Sequence, residues 1–315
     1  MSICSFTIPL YFGGCWALSL FLQHGGLPMS IKFSQVTHIY PGPKFQPQMN
    51  IIALDSVSFQ IPKSKTVAIF GHSGSGKSTF LNILTGNLRP TAGLVFIDSV
   101  AIYGLDDDDL QNFISENIYY ITQDLEDNLI SELSGKENAV LSLMASGKTG
   151  SIFPYFELME IEHLYNLPVK RMSSGEKQLL SLTLALILEP KILVMDEPTS
   201  YLDAKTKIVA MHKVLDFCKE KEISVIFSTH DEDILKLADL GIGIFYGKFD
   251  RIIENPSSIS EIREIIEGKF YLLPIDDNGT IVIPKFAREQ VGIKNRVRME
   301  IVGNKIILAP EEEGQ

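Results

Sequence analysis

Residues 71–79 read Gly-His-Ser-Gly-Ser-Gly-Lys-Ser-Thr, and this stretch decides the fold class. It satisfies the pattern G-x-x-x-x-G-K-[ST] and lies between residues 65–70, which predict a strand, and residues 77–85, which predict a helix that stops at Gly86. Glycines at these positions allow successive backbone N–H groups to converge on phosphate oxygens. The stretch therefore predicts a phosphate-binding cradle, and the alternative is a flexible glycine turn.

Two side chains of the cradle add specific chemistry. Lys77 supplies a positive charge for the β and γ phosphates of a nucleotide, and the Ser78 hydroxyl is a ligand for Mg²⁺. The candidate nucleotide-binding residues of this stretch are Gly71, Ser73, Gly74, Gly76, Lys77, Ser78 and Thr79.

A second pattern lies at residues 192–197, where four apolar residues predict a buried strand that ends in Asp196 and Glu197. Adjacent carboxylates at a strand end favour a nearby cation. Asp196 is the candidate ligand of Mg²⁺ through the water shell of the ion, and Glu197 is the candidate base that orients and deprotonates an attacking water. Taken alone, such a pair is equally typical of a solvated strand end.

The composition limits the class of protein. The chain has 315 residues, enough for about two domains. With 45% hydrophobic and 21% charged residues it has the usage of a folded protein, which argues against a disordered or collagen-like chain. The net charge of −11 means that any contact with nucleic acid must be local. Three scattered cysteines are too few for a disulfide framework or a zinc site and are typical of a reducing compartment.

Strands alternate with helices from Met29 to about Arg251, which predicts an α/β fold. Further strands are predicted at 31–40, 54–61, 93–98, 118–122 and 224–228, and further helices at 177–188 and 204–219. Between Asp124 and Lys170 the strand signal fades, and helical segments at 136–144 and 155–165 replace it. This change predicts a mostly helical insertion that splits the sheet domain.

The first 28 residues form an apolar leader. No charged residue occurs before Lys32, and residues 3–22 are about as long as a helix that crosses a bilayer. Pro9 and the pair Gly13-Gly14 weaken such a helix. Two interpretations stay open: translation begins at Met29 and the leader is an over-extended start, or the leader is a membrane anchor.

The order of the motifs resembles the ATP-binding-cassette (ABC) transporter ATPases. Besides the two patterns above, the resemblance rests on Tyr40, Gln123, residues 172–176 (Met-Ser-Ser-Gly-Glu), residues 200–203 (Ser-Tyr-Leu-Asp) and His230. It covers residues 31–247, about two thirds of the chain. It implies a P-loop NTPase fold with a helical subdomain, ATP and Mg²⁺ as ligands, and ATP hydrolysis.

The resemblance also implies a role for single residues. Tyr40 would stack on adenine, with a plain strand tyrosine as the alternative. Gln123 would contact Mg²⁺ and the attacking water and link the nucleotide to the helical insertion. His230 would contact the γ phosphate and help to hold the water. Asp203 would communicate across a dimer interface, and an ordinary helix N-cap is its alternative role.

Ser173, Ser174 and Gly175 resemble the family signature, which faces the γ phosphate bound by the cradle of a second subunit and so implies a dimer. The match is imperfect, because Met172 replaces a leucine, Ser174 a glycine and Glu176 a glutamine. An added Cβ and an added negative charge near a phosphate both predict weaker closure of the dimer.

The tail beyond Pro256 changes character. We predict a linker at residues 252–268 with a helix at 257–268, and then a small β-rich domain at 269–315 with strands at 271–275, 280–283, 297–302 and 306–308 and a brief helix at 285–291. Residues 277–310 resemble the swapped-hairpin domain of the AbrB and MazE type, mainly through residues 278–285 (Asn-Gly-Thr-Ile-Val-Ile-Pro-Lys). The resemblance implies self-association, and DNA binding is a less favoured alternative that residues 311–313 (Glu-Glu-Glu) oppose.

Two functions follow from these patterns. The favoured one is the ATP-binding and ATP-hydrolysing subunit of an ABC transporter, in which a cassette domain at residues 29–251 dimerises on ATP and drives a separate membrane permease. Such a subunit would lie on the cytoplasmic face of the cell membrane. The alternative is a soluble ABC-type ATPase that acts as a switch on DNA or another macromolecule through its hairpin domain.

Overall fold

The computed structural model describes residues 29–42, 50–258, 297–302 and 305–310. The chain divides into two compact units, Met1–Gly268 and Lys269–Gln315. The apolar leader, most of the predicted linker helix and the predicted elements at 271–275, 280–283 and 285–291 lie outside the described residues. Within the described residues, no helix is both long and apolar enough to cross a membrane.

Strands and helices alternate in the first unit, which confirms the α/β class. The strands are β1 (Met29–Tyr40), β2 (Ile51–Pro62), β3 (Thr66–Phe70), β4 (Ala92–Ile97), β5 (Val100–Ala101), β6 (Ile118–Ile121), β7 (Ile192–Met195), β8 (Ser224–Thr229), β9 (Leu240–Phe245) and β10 (Lys248–Glu254). The helices are α1 (Lys77–Leu84), α2 (Asp107–Asn117), α3 (Leu125–Asn128), α4 (Gly135–Ala145), α5 (Phe153–Leu158), α6 (Ser174–Leu188), α7 (Ala204–Glu220) and α8 (Glu232–Leu235).

The main sheet has six strands in the order β10-β9-β3-β8-β7-β6. Its neighbours are parallel except for β9 and β10, which form an antiparallel pair at one edge. Every residue of β7, β8 and β9 is buried, as expected of strands covered on both faces. Because the other strands run in the same direction, the loops after β3, β6, β7 and β8 leave the same edge of the sheet.

A smaller antiparallel sheet, in the order β2-β1-β4-β5, packs on α1. Phe33 of β1 and Phe59 of β2 stack with 5.2 Å between ring centroids, and Phe80 of α1 lies 4.5 Å from Phe33 and 5.2 Å from Phe59. All three rings are buried. This cluster fixes the helix that begins directly after the cradle.

The helical insertion lies between β6 and β7, which are neighbours in the sheet. Helix α4 confirms the predicted helix at 136–144. The prediction of one helix at 155–165 is wrong: α5 ends at Leu158, Glu160 adopts φ +59°, and a 3-10 turn covers Glu162–Leu164. In a continuous helix Ile161 would lie about 140° around the axis from Phe156. The break allows both side chains to be buried.

The described part of the second unit is a β-hairpin. Strands β11 (Val297–Val302) and β12 (Lys305–Pro310) pair antiparallel, from Val297 opposite Pro310 to Val302 opposite Lys305. The strand predicted at 297–302 is confirmed, and the one predicted at 306–308 is longer at both ends. At the end of the first unit, β10 pairs with β9 as far as Glu254 and so extends beyond residue 251.

Candidate nucleotide-binding site

Four loops with predicted site residues leave one edge of the main sheet. Gly71 follows β3, Gln123 comes after β6, Asp196 follows β7, and His230 follows β8. The strand order β3-β8-β7-β6 makes these loops neighbours in space. Open α/β sheets bind their ligands outside the carboxyl ends of the strands, which is this edge.

A cavity of about 290 Å³ lies beside three of the predicted residues, Gln123, Glu197 and His230. It is also lined by Thr199, Ser200, Leu202, Lys207, Thr229 and Asp231. The candidate base and its two candidate neighbours therefore face one shared space, as the activation of a water requires.

The cradle depends on glycines at positions where a side chain does not fit. Gly76 has φ +109°, and a Cβ there would lie 2.4 Å from the carbonyl oxygen of Ala53. Gly71 has φ +151°, and a Cβ there would lie 2.1 Å from the carbonyl oxygen of Ile244. These close backbone approaches hold the loop in the curled form that directs its N–H groups to one side.

Lys77 is buried inside the cradle, with 6% of its surface exposed. Its ammonium donates hydrogen bonds to the carbonyl oxygens of Gly71 at 3.0 Å and His72 at 3.1 Å. Burial lowers the pKa of Lys77, while the carboxylates of Glu197 and Asp196 act in the opposite direction. The ammonium is thus poised beneath the loop, held by neutral acceptors that are weaker than a phosphate oxygen.

The start of α1 is open for a ligand. Gly76 is the N-cap residue, and no side chain caps the helix, so its first N–H groups lack acceptors within the helix. Ser78 in the first turn is exposed. The hydroxyl of Tyr40 lies 3.4 Å from Oγ1 of Thr79, which places the candidate adenine-stacking residue beside the same helix end.

The acidic pair is held by a serine of the neighbouring strand. Asp196 is buried, and its carboxylate accepts a hydrogen bond from the hydroxyl of Ser228. The N–H of Glu197 donates to the same Oγ at 2.9 Å. One side chain of β8 therefore fixes both acids, a contact that strand-end spacing alone does not indicate.

Glu197 adopts φ +47°, a left-handed conformation that is uncommon for a residue with a side chain. Its Oε2 lies 3.1 Å from Nδ1 of His230 and accepts a hydrogen bond of 3.2 Å from the hydroxyl of Ser200. The strained backbone directs the carboxylate into the cavity, where the histidine and the hydroxyl both contact one oxygen.

The oxygen donors at this edge fit a Mg²⁺ ion that is shared with phosphates. Ser78 offers an exposed hydroxyl, Gln123 an exposed side chain and Asp196 a carboxylate. Within the described residues, no three His, Cys, Asp or Glu side chains form a metal cluster. A donor set with one carboxylate is typical of Mg²⁺, which keeps several waters and binds substrate phosphates.

Known proteins similar to this chain are ATP-binding components of transporters. The family profile described as ABC transporter matches residues 54–200. The energy-coupling factor transporter ATP-binding protein EcfA1 of Mycoplasmopsis pulmonis (strain UAB CTIP) is 32% identical over 222 residues, which are 68% of this chain and 81% of that protein. This chain belongs to the ABC transporter family. It is an ATP-binding and ATP-hydrolysing subunit of a transporter.

Two further comparisons agree with this assignment. The methionine import ATP-binding protein MetN of Rhodopseudomonas palustris (strain BisB5) is 29% identical over 218 residues, which are 67% of this chain and 57% of that protein. The ATP-binding cassette MJ0796, solved as a dimer in a post-hydrolysis state with ADP and Pi, has a TM-score of 0.65 and 29% identity over 71% of this chain and 98% of that one. The predicted P-loop ABC ATPase fold is confirmed.

The candidate signature, residues 173–175, lies at the start of helix α6 and forms part of a capping box. Ser173 is the N-cap, and its Oγ accepts a hydrogen bond from the N–H of Glu176 at 3.3 Å. The Glu176 carboxylate in turn accepts hydrogen bonds from the N–H and the hydroxyl of Ser173, each at 2.8 Å. His163 lies 3.4 Å from the other carboxylate oxygen. None of residues 173–175 lines the cavity beside Gln123, Glu197 and His230.

Asp203 is the N-cap of α7, which confirms the structural role considered for it. Its Oδ1 accepts hydrogen bonds from the N–H groups of Lys205 at 3.0 Å and Thr206 at 3.1 Å. Hydrogen bonds from the side chain and the backbone of Thr206, and from the backbone of Lys205, lower the pKa of Asp203. An ionised aspartate at this position stabilises the helix start.

The site contains residues to which the sequence patterns gave no individual role, although Ser200 belongs to the motif at residues 200–203. These are Ser200, Lys207, Ser228 and Asp231. Ser228 and Asp231 stand beside His230 in the chain, so proximity to a motif is the one signal that could have indicated them. Lys207 carries no such signal, because its contact with the cavity depends on how α7 packs.

Proposed function

We propose that this cassette and a second one, identical or related, enclose ATP and Mg²⁺ between the cradle of one subunit and the signature of the other. The main support for this proposal is that the catalytic cavity is lined by Gln123, Glu197 and His230 but by no residue of the signature. A second subunit is therefore needed to complete the site. The dimeric form of the similar cassette MJ0796 supports this arrangement.

In this proposal the cradle and Tyr40 hold the nucleotide. The β and γ phosphates replace the carbonyl oxygens of Gly71 and His72 as acceptors for Lys77. The N–H groups at the start of α1, together with Ser73 and Thr79, surround the phosphate chain. Tyr40, 40% exposed, offers its ring to adenine beside this helix end.

Glu197 accepts a proton from the attacking water as the water oxygen bonds to the γ phosphorus, and the bond from that phosphorus to the β-γ bridging oxygen breaks. His230 orients the carboxylate and contacts the γ phosphate, and Gln123 contacts the water. Mg²⁺, held by Ser78, Gln123 and, through water, Asp196, would neutralise charge on the phosphates.

The helical insertion is the proposed contact with a separate membrane permease. Helix α4 exposes Val140, Leu141 and Met144, whose exposed fractions are 39%, 43% and 73%. Apolar side chains grouped on one exposed face are typical of a protein contact surface. Gln123 lines the cavity and directly precedes the helical insertion in the chain. In this proposal a change at the cavity on hydrolysis reaches the exposed face of α4 through this segment. The subunit would then lie on the cytoplasmic side of the cell membrane.

The second unit is proposed as a dimerising clamp of the swapped-hairpin type, because a two-stranded hairpin alone is marginally stable. Full-length protein without nucleotide should then sediment as a dimer, and removal of residues 269–315 should give a monomer. If both forms sediment as monomers, the tail does not dimerise the protein.

The central experiment is the substitution Glu197→Gln. The variant should keep ATP binding, lose hydrolysis by at least about 100-fold and accumulate as an ATP-bound dimer, since the base is gone but the phosphate contacts remain. ATP turnover and sedimentation with Mg²⁺-ATP measure both effects. Hydrolysis at the parental rate would remove Glu197 from the role of base.

A further inference from the structure

Lys207 shares the catalytic cavity with Glu197 and His230, although no motif contains it. It lies in the first turn of α7, where its N–H donates to the carbonyl oxygen of Asp203 at 2.9 Å. The side chain is only 15% exposed. A lysine this sheltered requires a partner for its charge.

That partner is Asp231, the residue directly after His230. The ammonium of Lys207 donates a hydrogen bond to Oδ2 of Asp231. Oδ1 of Asp231 accepts from the N–H of Asp233 at 2.9 Å, and the N–H of Asp231 donates to Oγ1 of Thr229 at 3.0 Å. Burial opposes the ionisation of Asp231, but the bonds from Lys207 and from backbone N–H groups lower its pKa.

The ion pair joins two segments that are far apart in sequence. One is the start of α7, which the turn at residues 200–203 precedes and which contains Lys207, and the other is the loop after β8 that carries His230. The His230 side chain is 64% exposed, so packing around its ring does little to hold it. Its position beside Glu197 depends on the backbone that flanks it, and the ion pair anchors this backbone on one side.

We infer that Lys207 is a positioning residue for ATP hydrolysis, which fixes the His230 loop through Asp231 and couples it to the turn at residues 200–203. The inference rests on the proposed function, in which Glu197 and His230 act on the attacking water. The cradle leaves a different strand, so the loss of this ion pair should change the chemical step and spare nucleotide binding.

The test is steady-state hydrolysis by the full-length chain carrying Lys207→Met, which removes the charge and keeps the length. The kcat should fall about 10-fold with the KM for ATP within about 2-fold of the parent. Lys207→Arg should restore kcat to within about 3-fold, because a guanidinium also pairs with a carboxylate. The matched control is Lys213→Met, a lysine on the same helix as Lys207. This change breaks the ion pair of Lys213 with Glu160, which is 2.8 Å long, and should leave kcat unchanged.

Asp231→Asn removes the negative partner of the same ion pair and keeps a side-chain acceptor for the N–H of Asp233. If Lys207→Met does not fold, the kcat of Asp231→Asn tests the inference in its place. The double variant should be no slower than the slower single one, since both remove one interaction. Equal kcat for Lys207→Met and Lys213→Met, or a rise in KM alone, would overturn the inference. If Glu197→Gln retains hydrolysis in the same assay, the proposed function fails instead.

Discussion

The cradle and the signature, the two halves of the proposed nucleotide site, differ in the hydrogen-bond acceptor that each must give up to bind phosphate. In the cradle, Lys77 donates to two backbone carbonyl oxygens, which are neutral acceptors. In the signature, the hydroxyl of Ser173 donates to the ionised carboxylate of Glu176 at 2.8 Å. Both sets of hydrogen bonds involve a charged group, but Lys77 would exchange neutral acceptors for charged phosphate oxygens, whereas Ser173 would exchange one anionic acceptor for another. The signature therefore gains less from binding phosphate.

Because of this difference, we expect nucleotide binding and dimer closure to differ in how readily they occur. A hydroxyl has a single proton to donate. The Ser173 hydroxyl must therefore leave Glu176 before it can donate to a γ phosphate held by a second subunit. The cradle follows the cassette pattern at each motif position, whereas the signature departs from it at residues 172, 174 and 176. We expect tight binding of ATP by one subunit and slow completion of the site by the other.

The largest expected effect is on the cradle side. Lys77→Ala removes the ammonium that would contact the β and γ phosphates and should weaken ATP binding by at least about 100-fold, with hydrolysis lost. Calorimetric titration with Mg²⁺-ATP measures the affinity. The exposed Lys63 before β3 is the control position, and Lys63→Ala should bind ATP like the parent. If Lys77→Ala binds ATP as tightly as the parent, the cradle does not hold the phosphates through Lys77, and the contrast between cradle and signature fails.

A smaller effect is expected on the signature side. Ser173→Ala should reduce hydrolysis about 10-fold while ATP binding stays within about 2-fold, because the hydroxyl would act only in the closed dimer. The same change also removes a helix cap worth about 1 kcal/mol. Helix α4 begins with a matching capping box of Ser134 and Glu137, so Ser134→Ala controls for the lost cap. Equal turnover by the two variants would mean that Ser173 only caps α6.

The smallest effect concerns the departure at residue 176. The N–H and the hydroxyl of Ser173 lower the pKa of Glu176, so the carboxylate is charged at neutral pH. Glu176→Gln should raise hydrolysis about 2- to 5-fold, because it removes a negative charge near the γ phosphate of the proposed dimer and gives the Ser173 hydroxyl a neutral, weaker acceptor. Glu137→Gln in the matching box of α4 should leave turnover unchanged. A decrease with Glu176→Gln would show that the carboxylate assists the signature.

Much of the fold could be predicted because its signals are local. Short runs of apolar or β-branched residues mark buried strands such as β7 and β8, and the cradle and the acidic pair each consist of consecutive residues. Asp203 illustrates an intermediate case: its N-cap role follows from its place before a helix and is confirmed by two hydrogen bonds. The helix predicted at 155–165 is wrong because apolar spacing does not reveal a left-handed residue such as Glu160.

What consecutive residues establish about this protein is the chemistry of each loop: glycines that a backbone can curl around phosphate, a lysine and a hydroxyl at a helix start, and two acids after a buried strand. What packing alone decides is which loops meet. Ser228 bridges Asp196 and Glu197 because β7 and β8, which are far apart in sequence, are neighbouring parallel strands. Lys207 pairs with Asp231 because α7 packs against β8 and the segment that follows it. Sequence order does not state strand order, and contacts between distant side chains exist only after the sheet has formed.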